Sequence, residues 1–139
     1  MNRTETLLLD ASVWVASKDA EDFYCATARS LVLDMRRPVS ALDLTLHEVA
    51  NVVGGRWQRA DLALDLCRTL IARCGDRIVA VDADLIESAL GAVDEHGLSA
   101  YDAAYVAAAR RHGWALVSTD VRDLVSKGLA VAPDAADYP

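Results

Sequence analysis

Short apolar runs alternate along this chain with longer stretches in which apolar residues recur every three or four positions. The runs at Leu7–Leu9, Val39–Ala41, Ile78–Val81, Ala115–Ser118 and Leu129–Ala132 have the length and composition of buried strands. Between them, Tyr24–Met35, Leu46–Trp57, Leu62–Cys74, Leu85–His96 and Tyr101–His112 carry helical spacing. Gly75, Gly97, Gly113 and Gly128 each follow a helical segment, where a left-handed closing residue favours glycine. Gly54-Gly55 breaks this rule by falling inside a helix, at a cost of roughly 1 kcal/mol each relative to alanine. The pair suggests a kink or a close helix contact.

Strands alternating with helices imply a parallel sheet covered on both faces. The expectation is an α/β fold, a three-layer α/β/α, Rossmann-like domain with a four- to five-stranded parallel sheet. At 139 residues the chain fits one such domain, spanning positions 1–139. In open parallel sheets the ligand site lies at the carboxyl ends of the strands, where the strand order reverses. That edge is where chemistry is sought.

Composition narrows the class. Hydrophobic residues at 53% supply a core without disulfides, and 25% charged residues fit a folded, water-exposed protein. Cys25, Cys67 and Cys74 are odd in number and lack C-x-x-C spacing, so they read as packing residues. The run Leu7–Leu9 ends at Asp10, far short of the roughly 20 residues a membrane span needs. Arg3 and Glu5 precede it and no cleavage signal follows, so no membrane and a cytoplasmic location are expected. A net charge of −7 argues mildly against nucleic-acid binding, which draws affinity from phosphate neutralisation. Arg36-Arg37, Arg110-Arg111, Arg56 and Arg59 could form local patches or simply solvated faces.

Four acids fall where the edge rule points. Asp10 ends the first strand and Glu48 begins the helix after the second. Asp102 begins the helix before the fourth strand, and Asp120 follows that strand. Each also has a plainer role. Thr45-Leu46-His47-Glu48 and Ser99-Ala100-Tyr101-Asp102 fit capping boxes, and Asp10 and Asp120 fit helix caps, the latter with Asp123 three residues on. Capping does not predict that all four converge. Convergence would suit a hard divalent cation, which takes oxygen ligands and makes crowded carboxylates favourable. Residue spacing alone leaves an acidic α/β domain with a candidate metal site.

The segments Leu7-Leu8-Leu9-Asp10-Ala11-Ser12-Val13-Trp14, Leu98-Ser99-Ala100-Tyr101-Asp102-Ala103-Ala104-Tyr105 and Leu116-Val117-Ser118-Thr119-Asp120 resemble the signature segments of PIN domains. The nearest resemblance is to VapC-type toxins of type II toxin–antitoxin pairs. It covers nearly the whole chain and implies an endoribonuclease dependent on Mg²⁺ or Mn²⁺. Asp10, Glu48, Asp102 and Asp120 would be its catalytic and metal-holding acids, with Ser118 and Ser12 ordering the site. The resemblance further implies a homodimer, a structured RNA substrate and a cognate VapB-like antitoxin whose C-terminal segment covers the active site. Ser118 departs from the family's usual threonine. Asp123 lies beside Asp120 and competes for the last acid position, with Asp120 preferred for following the strand directly. The histidines at 47, 96 and 112 are expected to be solvated or half-buried.

Other functional classes remain in view. A receiver-type signalling module also places acids at strand ends, but needs an acid pair after the first strand and a phosphoacceptor after the third. Here Asp10 stands alone and Val81-Asp82-Ala83-Asp84 reads as a helix start. A non-catalytic binding module would use the acids only as caps. Dinucleotide binding lacks its G-x-G-x-x-G after the first strand.

Overall fold

The computed structural model describes residues 5–137. Four strands, β1 (Leu7–Leu9), β2 (Val39–Leu42), β3 (Ile78–Val79) and β4 (Ala115–Val117), form one parallel sheet in the order β3-β2-β1-β4. Leu7 pairs with Val39 on one side and with Ala115 on the other, which makes β1 central. The helices are α1 (Ala11–Ala16), α2 (Cys25–Leu33), α3 (Asp43–Val49), α4 (Ala60–Cys74), α5 (Ala83–His96), α6 (Ala100–His112) and α7 (Pro133–Ala136).

The pleat sorts the core into two layers. Successive strand side chains point to opposite faces. Leu7, Leu9, Val39, Ala41 and Val117 join one buried cluster with residues of α1 to α4, while Leu8, Leu42 and Leu116 join a second with α5 and α6. This is the expected three-layer α/β/α arrangement. Alanines fill much of α6, from Ala103 to Ala109, so that helix lies close against α5 and the sheet. Cys74 is fully buried and Cys67 half-buried, both as free thiols, consistent with packing roles.

Three local expectations are corrected. The strand expected at Leu129–Ala132 is a single parallel bridge between Val117 and Val131, squeezed between a positive-φ turn at Gly128 and Pro133 at the start of α7. The helix expected at 46–57 starts earlier and changes type. It is α-helical over Asp43–Val49 and π-helical over Ala50–Arg56, with Trp57 N–H reaching Val52 O at 3.0 Å. Thr45 is therefore not the cap of a box ending in Glu48. Its hydroxyl instead accepts from the Leu42 N–H at 3.0 Å, and Glu48 stands near the end of α3. Gly54 has the close-contact explanation: a Cβ there would lie 3.4 Å from the Ala63 Cβ of α4.

One buried arginine closes the α2–β2 connection. A helix leaves its last carbonyls without internal partners. Arg73, in the last turn of α4, donates to Val32 O and, at 3.3, 3.0 and 3.3 Å, to the carbonyls of Leu31, Asp34 and Arg37. A cation at a helix C-terminus also offsets the dipole there. Replacing Arg73 by Met keeps the apolar stem and orphans several buried carbonyls, each at about 1–3 kcal/mol. Urea unfolding of Arg73→Met should show a loss of about 2–4 kcal/mol, and an unchanged midpoint would refute this role.

Candidate metal centre

The strand order reverses between β1 and β4, so the crevice should open at their carboxyl ends. Asp10 follows β1 directly and is nearly inaccessible, at 5% exposure. It caps α1, accepting from the Ser12 N–H at 3.1 Å and from the Ser12 hydroxyl. Ser12 also joins the two strand ends, because its oxygen accepts from the Thr119 N–H at 3.0 Å. Ser118 is fully buried beside it; the two hydroxyl oxygens lie 3.5 Å apart and Ser118 accepts from the Asp120 N–H at 3.0 Å.

The other acids arrive on helix starts and on α3. Ser99 caps α6 by accepting from the Asp102 N–H at 3.1 Å, which puts Asp102 in the first turn. Asp120 caps the π-helical turn Val121–Val125 by accepting from the Asp123 N–H at 3.0 Å. These caps match the sequence expectation. Carboxylate oxygens of Asp102, Asp120 and Asp123 lie within 4.8 Å of one another, close enough to share a cation. Asp123 thus belongs with Asp120 rather than replacing it or pointing away.

Asp10 and Glu48 lie outside that triplet but within its field. Burial lifts the Asp10 carboxyl from its usual 3.8 to about 7; hydrogen bonds from Ser118 and Ser12 oppose the rise, and Asp102 and Glu48 add to it. Burial also raises Glu48, with the Tyr105 hydroxyl pulling it back and Asp102 pushing it further. Asp102 is raised by burial, then by Asp120 and Asp123, against Ser99 and Lys127. Five acids therefore share one strained electrostatic neighbourhood.

The sequence reading missed what holds Glu48. Tyr105, buried on α6, donates its hydroxyl to Glu48 Oε1 at 2.7 Å and lies 2.7 Å from the Thr45 hydroxyl. A tyrosine in an otherwise alanine-rich helix face, three residues past Asp102, was the available signal. The histidines play no part in this cluster. His47 and His112 are exposed, and His96 pairs with Glu95 and Arg110.

A family model described as the PIN domain matches residues 7–126. The fold is similar to a toxin–antitoxin complex from Klebsiella pneumoniae at a TM-score of 0.69 and 19% identity, covering 91% of this chain and 97% of that one. It is similar to VapC20 of Mycobacterium tuberculosis, described as a sarcin–ricin loop cleaving toxin, at a TM-score of 0.71 and 24% identity over 88% and 95% of the two chains. PAE2754 of Pyrobaculum aerophilum aligns at 0.64 and 24% identity, over 96% and 95%. A comparison with curated proteins returns no match. With the family match running from β1 through the acidic edge, the chain belongs to the PIN-domain family of nucleases.

Proposed function

We propose that this protein is a Mg²⁺- or Mn²⁺-dependent endoribonuclease that hydrolyses phosphodiester bonds in a structured RNA, and that it acts as the toxin of a toxin–antitoxin pair. The observation that carries the reading is the gathering of Asp102, Asp120 and Asp123 at the sheet's carboxyl edge beside Asp10 and Glu48. Oxygen-only donors at this spacing fit a hard divalent cation. The strain in the cluster fits as well, since Asp10, Glu48 and Asp102 all hold protons more tightly than usual when no cation balances them.

Asp102, Asp120 and Asp123 would hold the ion, with Asp10 and Glu48 completing or orienting its surroundings. Bound there, it would supply Lewis acidity toward water and a phosphate oxygen. Tyr105 holds Glu48 Oε1 and leaves Oε2 without a protein partner among the described residues. Ser12 and Ser118 hold the Asp10 carboxylate and lock the β1 and β4 ends together. Substrate choice would come from RNA shape and a few unstacked bases.

The partner reading has its own support. Apolar side chains stand exposed on several helices, among them Leu64 and Ile71 on α4 and Ile86 and Leu90 on α5. Leu64 and Ile71 lie seven positions apart and Ile86 and Leu90 four apart, so each pair shares a helix face that a second copy of the chain or an antitoxin segment would cover. A cytoplasmic location belongs to the same reading; among the described residues no helix is long and apolar enough to cross a membrane. The receiver alternative loses ground, because Asp82 after β3 accepts from the Leu85 N–H at 2.9 Å as an ordinary cap of α5.

Asp10→Asn and Asp102→Asn should each lower Mg²⁺-dependent RNA cleavage at least about 100-fold while circular dichroism stays unchanged. Full activity in both would refute the site. In light scattering the protein should run at twice its 15.0 kDa, and a monomer would remove the homodimer.

The pH dependence has a definite sign. A carboxyl whose folded value lies near 7 against 3.8 unfolded retains its proton in the folded state between those values. It therefore stabilises the fold at low pH and loses that contribution as pH rises through about 7, at roughly 1.4 kcal/mol for each pH step crossed. In EDTA the protein should lose stability between about pH 4 and 7, and Asp10→Asn should flatten the loss. Added Mg²⁺ or Mn²⁺ should raise Tm more at about pH 8 than at about pH 5.5, because ligands must shed protons to bind metal. A metal effect independent of pH would contradict the assignment.

A further inference from the structure

Glu48 faces the acid cluster and also lines a groove that nothing above uses. Its walls are His47, Asn51 and Arg56 from α3 and the π-helical segment, and Tyr101 from the first turn of α6, over an apolar floor of Leu44 and Val52. Its volume of about 500 Å³ suits a small ligand group. Two features mark it as more than a surface crease.

The first is the Tyr101 ring, which is 60% exposed although it neighbours the metal-holding Asp102 in sequence. An exposed aromatic beside a phosphodiester-cleaving edge offers a stacking platform, and base–aromatic stacking tolerates any base. The second is Arg56, which follows Leu44, Glu48 and Val52 at four-residue intervals and lines the groove with them. Arg56 makes no ion pair with a described residue, whereas Arg59, three positions on, is tied to Asp61 at 3.1 Å. A cation free to meet phosphate therefore stands beside the acidic edge.

We infer that this groove is the subsite for the nucleotide adjoining the cleaved bond, with an unstacked base on Tyr101 and its phosphate on Arg56. The occupant is single-stranded RNA, in a loop or at an end, because a paired base cannot leave its stack to lie on the ring. His47 and Asn51 offer hydrogen-bonding groups to the base edge. The inference rests on the ribonuclease reading above and deepens it.

Binding is measured by fluorescence anisotropy of a labelled single-stranded oligoribonucleotide on the Asp102→Asn background, and cleavage of the same oligonucleotide on the otherwise unchanged protein with Mg²⁺. Tyr101→Ala should weaken binding about ten-fold and raise KM with kcat near the starting value, while Tyr101→Phe restores both. Arg56→Ala should weaken binding and lower the slope of log affinity against log salt by about one. Both positions are exposed at the groove, so Tm should not move. Wild-type affinity and KM in Tyr101→Ala and Arg56→Ala, alongside an active parent, overturn the subsite and leave the ribonuclease standing. An inactive parent removes the ribonuclease instead, and the anisotropy arm still decides whether the groove takes RNA. Loss of binding to a co-expressed antitoxin with RNA affinity intact assigns the groove to protein and overturns the proposal.

Discussion

Negative charge crowded around a buried carboxyl is the constraint on which the rest of this structure turns. Asp10 sits almost wholly out of water at the end of the central strand, and Asp102 and Glu48 raise the cost of ionising it. Carboxylates placed so close hold their protons more tightly unless a cation offsets their charge. The parallel sheet makes the crowding possible. With β1 and β4 adjacent and helices starting or ending at one edge, residues more than a hundred positions apart meet there.

Much of this was legible in the sequence, for identifiable reasons. Strand β1 and the C-terminal ends of α4, α5 and α6 fall where the apolar runs and the following glycines place them, because pleat, helical period and positive-φ closure leave direct marks on residue type. The Ser99 and Asp120 caps were likewise readable, being local bonds between near neighbours. The failures share a cause. Thr45 looked like a cap by spacing, yet Asp43 starts the helix two residues earlier and the Thr45 hydroxyl turns inward to Leu42 and Tyr105. The Tyr105–Glu48 bond joins residues 57 positions apart, and no local pattern encodes such a contact. Asp123 falls in the first turn after Asp120, as its position suggested, but its approach to Asp102 spans 21 positions and leaves no local mark.

The two π-helical stretches connect local backbone to site chemistry. One aligns Asp123 with Asp120, and the other carries α3 past Glu48 toward Arg56 and the close approach of Gly54 to α4. Such widened turns are rare and are found frequently at functional sites. Gly54-Gly55, which helix propensity alone disfavours, falls in the stretch after α3, where a Cβ on Gly54 would lie 3.4 Å from the Ala63 Cβ. The net charge of −7 is then less of an obstacle to binding RNA than it first looks. What matters is where cations stand relative to the acids, and the divalent ion proposed above would offset part of the charge where a phosphate would come closest.

Helix capping is the rival explanation for these acids, one that needs no ion. Asparagine and serine cap helices about as well as aspartate does. This chain uses serine for that purpose at Ser99, so neutral caps are available to it. At Asp10 and Asp120 it uses acids instead, in a neighbourhood already strained by other acids. Asp102 is more telling, since its backbone N–H takes part in the cap and its carboxylate is not needed there. Helix dipoles favour a negative charge at each of these starts, but only by about 0.3–1 kcal/mol apiece. Against that, the Asp10 carboxyl stands at about 7 instead of 3.8, so the fold disfavours its ionised form, relative to water, by on the order of several kcal/mol. Capping and dipoles are too weak to account for the excess charge. The divalent cation proposed for this edge would be strong enough.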